Sequence, residues 1–160
     1  MIERNYADYS WEMAAQLLAI DSPSGYTQRA AQSVCDSFRQ LGFDAHLTRK
    51  GGVLVDFGGE DNEDGLLLEA HTDTLGAMVC QVKGTGALKL TNLGGMNANN
   101  AEAENVRVYT RDGRVYEGTC QLHDPSIHVN GGYNDAKRSW DSVEIILDED
   151  VHSQEDVKAL

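Results

Sequence analysis

The stretch Leu66-Leu67-Leu68-Glu69-Ala70, running into His71-Thr72-Asp73, decides how the sequence is read. It is apolar without the period-two alternation of a half-solvated strand. That is the pattern of a central strand covered by helices on both faces. In an open α/β sheet, ligand sites gather outside the carboxyl ends of strands, which is where His71-Thr72-Asp73 falls. His71 and Asp73, two apart in extended backbone, point to the same side.

Upstream of this run the periodicity is first helical, then strand-like. Met13, Ala14, Leu17 and Leu18 share one helical face, and the pattern stops at Asp21-Ser22-Pro23-Ser24-Gly25, a cluster of turn residues. Thr27 is placed to N-cap a second helix with the stripe Ala30, Ala31, Val34, Cys35, Phe38, Leu41, and Gly42 is a natural stop. Both helices are expected to pack on one face. Phe43, Ala45 and Leu47 then alternate with polar residues, Gly51-Gly52 turns the chain into a second strand over 53–57, and a polar, acidic loop spans 58–65.

Downstream of Gly76 the character changes. Short strand-like segments at 77–82, 87–90, 106–110, 115–122 and 143–147 are separated by turn dipeptides such as Gly94-Gly95, Asp112-Gly113 and Gly131-Gly132. The Asn/Ala/Glu-rich segment 97–104 reads as an exposed loop. Ser153-Gln154-Glu155-Asp156 opens a short last helix. The expected organisation is an α/β segment over 1–75 and a compact antiparallel β domain over 76–160.

Composition narrows the function classes. The 160 residues hold 13 Lys+Arg against 26 Asp+Glu, a formal net charge of −13. No Lys/Arg cluster offers the basic face that nucleic acid or an anionic membrane surface requires. No apolar run approaches the ~18 residues of a membrane span, and Met1-Ile2-Glu3-Arg4 lacks the apolar stretch of a signal peptide. Cys35, Cys80 and Cys120 are odd in number and widely spaced, so neither a disulfide framework nor a zinc ribbon is indicated, and a cytoplasmic location is expected.

His71 and Asp73 admit three readings. His71 can bind a metal through one ring nitrogen while Asp73 orients the imidazole. His71 can act as a general base held by Asp73. Both can be solvated side chains at a strand end. Other candidates are weaker. His123 and His128 flank Asp124-Pro125-Ser126 without a third ligand, and Ser126 lacks a nucleophile elbow. Gly84 and Gly86 lack the following helix of a dinucleotide loop. Cys35 lies on an apolar stripe, and residues 148–150 form an acidic turn.

The run from Leu66 to Val79, with Ser22-Pro23-Ser24-Gly25 after a first helix, Leu93-Gly94-Gly95, the stretch 106–118 and the closing 153–160, resembles in order and spacing the glutamyl aminopeptidase and cellulase-M-like metallopeptidases, the tetrahedral aminopeptidase family. The resemblance implies an αβα catalytic domain interrupted by an inserted β-barrel-like domain that makes homo-oligomer contacts and walls the substrate pocket. It implies two divalent metals, zinc or cobalt, that activate water against the N-terminal residue of a short peptide. Residue by residue it carries over His71 as a metal ligand and Asp73 as its catalytic partner. Many members have an acidic residue where Thr74 stands. The chain ends at Leu160, before the segment that supplies the family's remaining ligands. The expectation is therefore a portion of a dinuclear aminopeptidase, inactive alone. The rival is a non-catalytic binding or assembly module acting through the β domain.

Overall fold

The computed structural model describes residues 6–61 and 63–160. Met1–Arg4, read above for a leader, and residue 62 of the acidic loop lie outside the described residues. The chain divides into two compact units, Met1–Gly76 and Ala77–Leu160.

The first unit opens with α1 (Tyr6–Leu18) and α2 (Gln28–Gln40). Ala30, Ala31 and Cys35 bury the inner stripe of α2. Thr27 does stand at its N-cap, but its side chain makes no capping bond. Gly42, at φ +91°, ends the helix in a conformation that β-carbon-bearing residues avoid. The hairpin of β1 (Asp44–Leu47) and β2 (Val53–Asp56) follows in antiparallel register, with Ala45 opposite Val55. Arg39 Nε donates to the Ala45 carbonyl at 2.8 Å, tying α2 to β1. The rings of Phe38, Phe43 and Phe57 meet edge-on, with centroids 5.0–6.3 Å apart.

Two expectations for this unit are corrected. α1 has no fully buried residue; Met13 and Leu17 are half-buried and Leu18 is exposed, so its apolar face is only partly covered. Residues 66–70 form no strand, and Leu66, Leu67 and Leu68 lie open to solvent. The physical reason is shared. A central strand needs partner strands for its backbone groups and layers on both faces, and a two-stranded hairpin with two helices supplies neither.

The second unit is a five-stranded sheet in the order β3-β4-β7-β6-β5. Its strands are β3 (Gly76–Val82), β4 (Leu88–Leu93), β5 (Asn105–Tyr109), β6 (Val115–Leu122) and β7 (Val143–Leu147). The pairs β4–β7, β7–β6 and β6–β5 are antiparallel. Leu88, Leu90, Cys120, Leu122, Val143, Ile145 and Leu147 alternate onto one face and make the core. At Gly118 the strands run so close that a β-carbon would lie 2.5 Å from the Ile146 carbonyl oxygen. α3 (Gln154–Ala159) is capped by Ser153, which accepts from the Asp156 amide.

The segment 97–104 is not the exposed loop expected of it. A 3-10 turn at Ala98–Asn100 drives Ala98 and Ala101 into the core. Glu102 is anchored by Arg138 and Tyr133. Two alanines at turn spacing make an apolar face that the surrounding polar residues conceal in composition.

Candidate functional site

His71-Thr72-Asp73 is held by the turn that follows α1 rather than by a strand. Ser22 is fully buried and bonds across to residues 72–74 three times. Its carbonyl accepts from Thr74 N at 2.8 Å, its amide donates to Thr74 Oγ1 at 3.3 Å, and its hydroxyl donates to the Thr72 carbonyl at 3.0 Å. Pro23 and Thr74 form an isolated parallel bridge. Gly25, at φ +89°, and a bond from Tyr26 N to the Pro23 carbonyl close the turn.

On this anchor the site residues touch. His71 Nδ1 lies 2.9 Å from Asp73 Oδ1 and 3.1 Å from the Asp73 carbonyl. Ser24 Oγ donates to the other carboxylate oxygen, Oδ2, at 2.6 Å. The Ser24 hydroxyl first, and His71 second, hold the Asp73 carboxyl below the usual carboxylate range. Facing an ionised carboxylate, Nδ1 of a neutral His71 carries the proton and Nε2 keeps its lone pair. The His71 side chain is 85% exposed and that of Asp73 40%, so Nε2 is accessible.

This donor set fits one corner of a metal centre. A neutral imidazole fixed by a carboxylate is the usual form of a zinc-binding histidine. A tetrahedral zinc takes about four ligands and a dinuclear centre more. Among the described residues no group of three or more His, Cys, Asp or Glu side chains is placed to hold a metal.

The other sequence candidates have structural partners. His123 does not join His128; its Nδ1 lies 3.0 Å from Glu144 Oε2 and its Nε2 2.7 Å from the Asp141 carbonyl. Lys83 Nζ donates to the same Glu144 oxygen at 2.7 Å, so a nearly buried carboxylate on β7 is satisfied by two basic groups. His128 is exposed. Ser126 serves through its carbonyl, which accepts from Val129 N and Asn130 N. Gly86 turns the chain between β3 and β4, with its amide donating to the Lys83 carbonyl. Cys35 is core, and Asp150 pairs with His152 in solvent. Ser-Pro-Ser-Gly reads locally as a turn and adds to the family resemblance, but neither reading assigns Ser22 or Ser24 a part in the site.

The comparisons with known proteins agree with one another. The family model described as M42 glutamyl aminopeptidase matches residues 51–160. YhfE of Bacillus subtilis (strain 168), an aminopeptidase by name, is 34% identical over 149 residues, which are 93% of this chain and 43% of that protein. A TET aminopeptidase from the marine sediment archaeon Thaumarchaeota archaeon SCGC AB-539-E09 superposes with a TM-score of 0.78 at 21% identity, covering 97% of this chain and 42% of that one. The TET1 peptidase of Pyrococcus horikoshii, described as assembling into a tetrahedron or a large octahedral shell, gives 0.73 at 22% identity, covering 93% and 43%. These likenesses establish the expected fold class, an α/β segment followed by an antiparallel β domain. The chain spans less than half the length of the curated relatives it matches.

Proposed function

From the premise that the chain belongs to the M42 glutamyl aminopeptidase family, we propose that it supplies the N-terminal share of a dinuclear-metal aminopeptidase that removes N-terminal residues from short peptides. The observation that carries this reading is the contact of His71 Nδ1 with Asp73 Oδ1, which leaves Nε2 free as a ligand. His71 holds one metal, and Asp73 fixes its tautomer and orientation. When bound, divalent cations of the zinc or cobalt kind polarise a carbonyl and lower the pKa of water. Residues 1–75 belong to the catalytic domain, and 76–160 form the inserted domain that makes subunit contacts and walls the substrate pocket. The shells formed by the TET1 relative support a homo-oligomer. Three free thiols support a reducing, cytoplasmic setting, and no helix among the described residues is long and apolar enough to cross a membrane.

The described residues bring no three His, Cys, Asp or Glu side chains together to hold a metal, so on this reading the 160-residue polypeptide is inactive by itself. Intact mass and metal content of the protein from its native source test the reading. A species about twice the mass of this chain, with about two metals per polypeptide and hydrolysis of aminoacyl-anilides lost on His71→Ala, supports it. A metal-free species of this chain's own mass overturns it.

One observation favours a second reading. Among the described residues, the members of the β unit's core cluster run from Ala77 to Leu160, so this unit has a core of its own, as an assembly module acting without catalysis requires.

A further inference from the structure

We propose that Ser24 is a positioning residue of the site: its hydroxyl, by holding Asp73 Oδ2, keeps Oδ1 on His71 Nδ1 and so selects the ring tautomer whose Nε2 can bind a metal. The inference rests on the reading of His71 as a metal ligand.

The geometry forms a relay that starts in the protein interior. Ser22 is buried and bonded three times to residues 72–74, so the turn carrying Ser24 is fixed against the segment carrying Asp73. Pro23 packs onto Gly76, where even a β-carbon would come within 2.4 Å of the ring. From this fixed turn Ser24 Oγ reaches Asp73 Oδ2 at 2.6 Å. The carboxylate torsion is intrinsically broad and close to two-fold. A donor on one oxygen removes that freedom and presents the other oxygen to the imidazole.

His71 needs this help because it is open to solvent. Among the described residues, the hydrogen-bond contacts of its ring come from Asp73, through Oδ1 and the carbonyl. With Asp73 free to rotate, water competes at both ring nitrogens, and the proton redistributes between Nδ1 and Nε2.

The test reads the tautomer directly in the metal-free chain, by 15N shifts of the His71 imidazole at a pH where the ring is neutral. The Nδ1–H form dominates in the unsubstituted chain. Ser24→Ala moves the population toward Nε2–H, and Ser24→Thr, which keeps the hydroxyl, retains Nδ1–H. In the whole protein from its native source, stripped of metal, titration with Co2+ alone shows binding weakened about tenfold in Ser24→Ala. If Ser24→Ala does not fold, Ser24→Thr against Ser24→Val replaces it, since the two differ in the hydroxyl at nearly equal volume. An unchanged tautomer in the variants lacking the hydroxyl overturns the proposal, whatever metal binding does. A tautomer that moves as expected while His71→Ala leaves the metal content of the protein from its native source unchanged overturns the metal-ligand reading and leaves the role of Ser24 standing.

Discussion

Arg138 grips Glu102 with two prongs, Nε to Oε2 at 2.7 Å and Nη2 to Oε1 at 3.2 Å, while its Nη1 caps the Tyr133 and Ala136 carbonyls. Both side chains are largely covered, at 17% and 19% exposure. The guanidinium first, and the Tyr133 hydroxyl with it, hold the Glu102 carboxyl below the ordinary glutamate range. Because the folded value is depressed, the pair's contribution is present above the unfolded value of roughly 4.3 and disappears as pH falls through the folded one. Glu102→Gln flattens the acid limb of the stability profile below about pH 4. Arg138→Ala, which strands the carboxylate, lowers the melting temperature at pH 7 by a few degrees or more. Melting curves recorded from pH 2 to 7 check both.

Gly76 is required by a contact rather than by backbone strain. A β-carbon there meets Pro23 Cβ at 2.4 Å, below any distance real β-carbons show, whereas one at Gly65 meets nothing within 4 Å. Gly76→Ala therefore pushes the Ser22–Ser24 turn off residues 72–74 and costs about 1–3 kcal/mol. Gly65→Ala stays within about 0.5 kcal/mol of the parent. Denaturant titration of the two variants gives the contrast, and equal midpoints refute it.

Legibility in the sequence followed the range of the interaction. The bounds of β6 and β7 coincide with the segments read at 115–122 and 143–147, because alternation and flanking turn residues are local signals. Residues 66–70 were misread because being a strand depends on partners elsewhere. The contact of His71 with Asp73 was legible, since two residues apart in extended backbone share a side. Ser24 was not, because its bond to Asp73 spans 49 residues and no local pattern encodes it. The burial of Ala98 and Ala101 was hidden for a different reason. A polar average over eight residues conceals a face two side chains wide.

The three thiols differ in access, which gives a labelling prediction. Cys80 is exposed, while Cys35 and Cys120 are buried. Burial first, with the nearby Glu102 charge adding to it, pushes the Cys120 thiol up to about 11. At pH 8 one thiol per chain reacts with a disulfide reagent before denaturation and three after it. The raised value also has a sign in stability. From roughly pH 8.5 upward the unfolded chain gives up a proton that folded Cys120 keeps, so stability falls with rising pH and the contribution is lost through the folded value. Cys120→Ala removes that part of the alkaline limb. Rapid labelling of all three thiols in native buffer contradicts the burial.

Exposed apolar side chains in the first unit predict association of the isolated chain. Leu66, Leu67 and Leu68 are 87%, 77% and 74% exposed, and Trp11 is 78% exposed. Consecutive leucines open to water on a segment outside any helix or strand attract other apolar surfaces and strand edges. Sedimentation velocity is expected to show concentration-dependent species larger than a monomer, and Leu66→Ser with Leu68→Ser to shift the distribution toward the monomer. The substitutions act on side chains that pack against little within the chain, so melting of the second unit stays unchanged. A monodisperse monomer at all concentrations, melting in one cooperative step, would show that these leucines are covered in solution by residues of the chain itself, and residues 66–70 would then regain the buried setting that their sequence suggests.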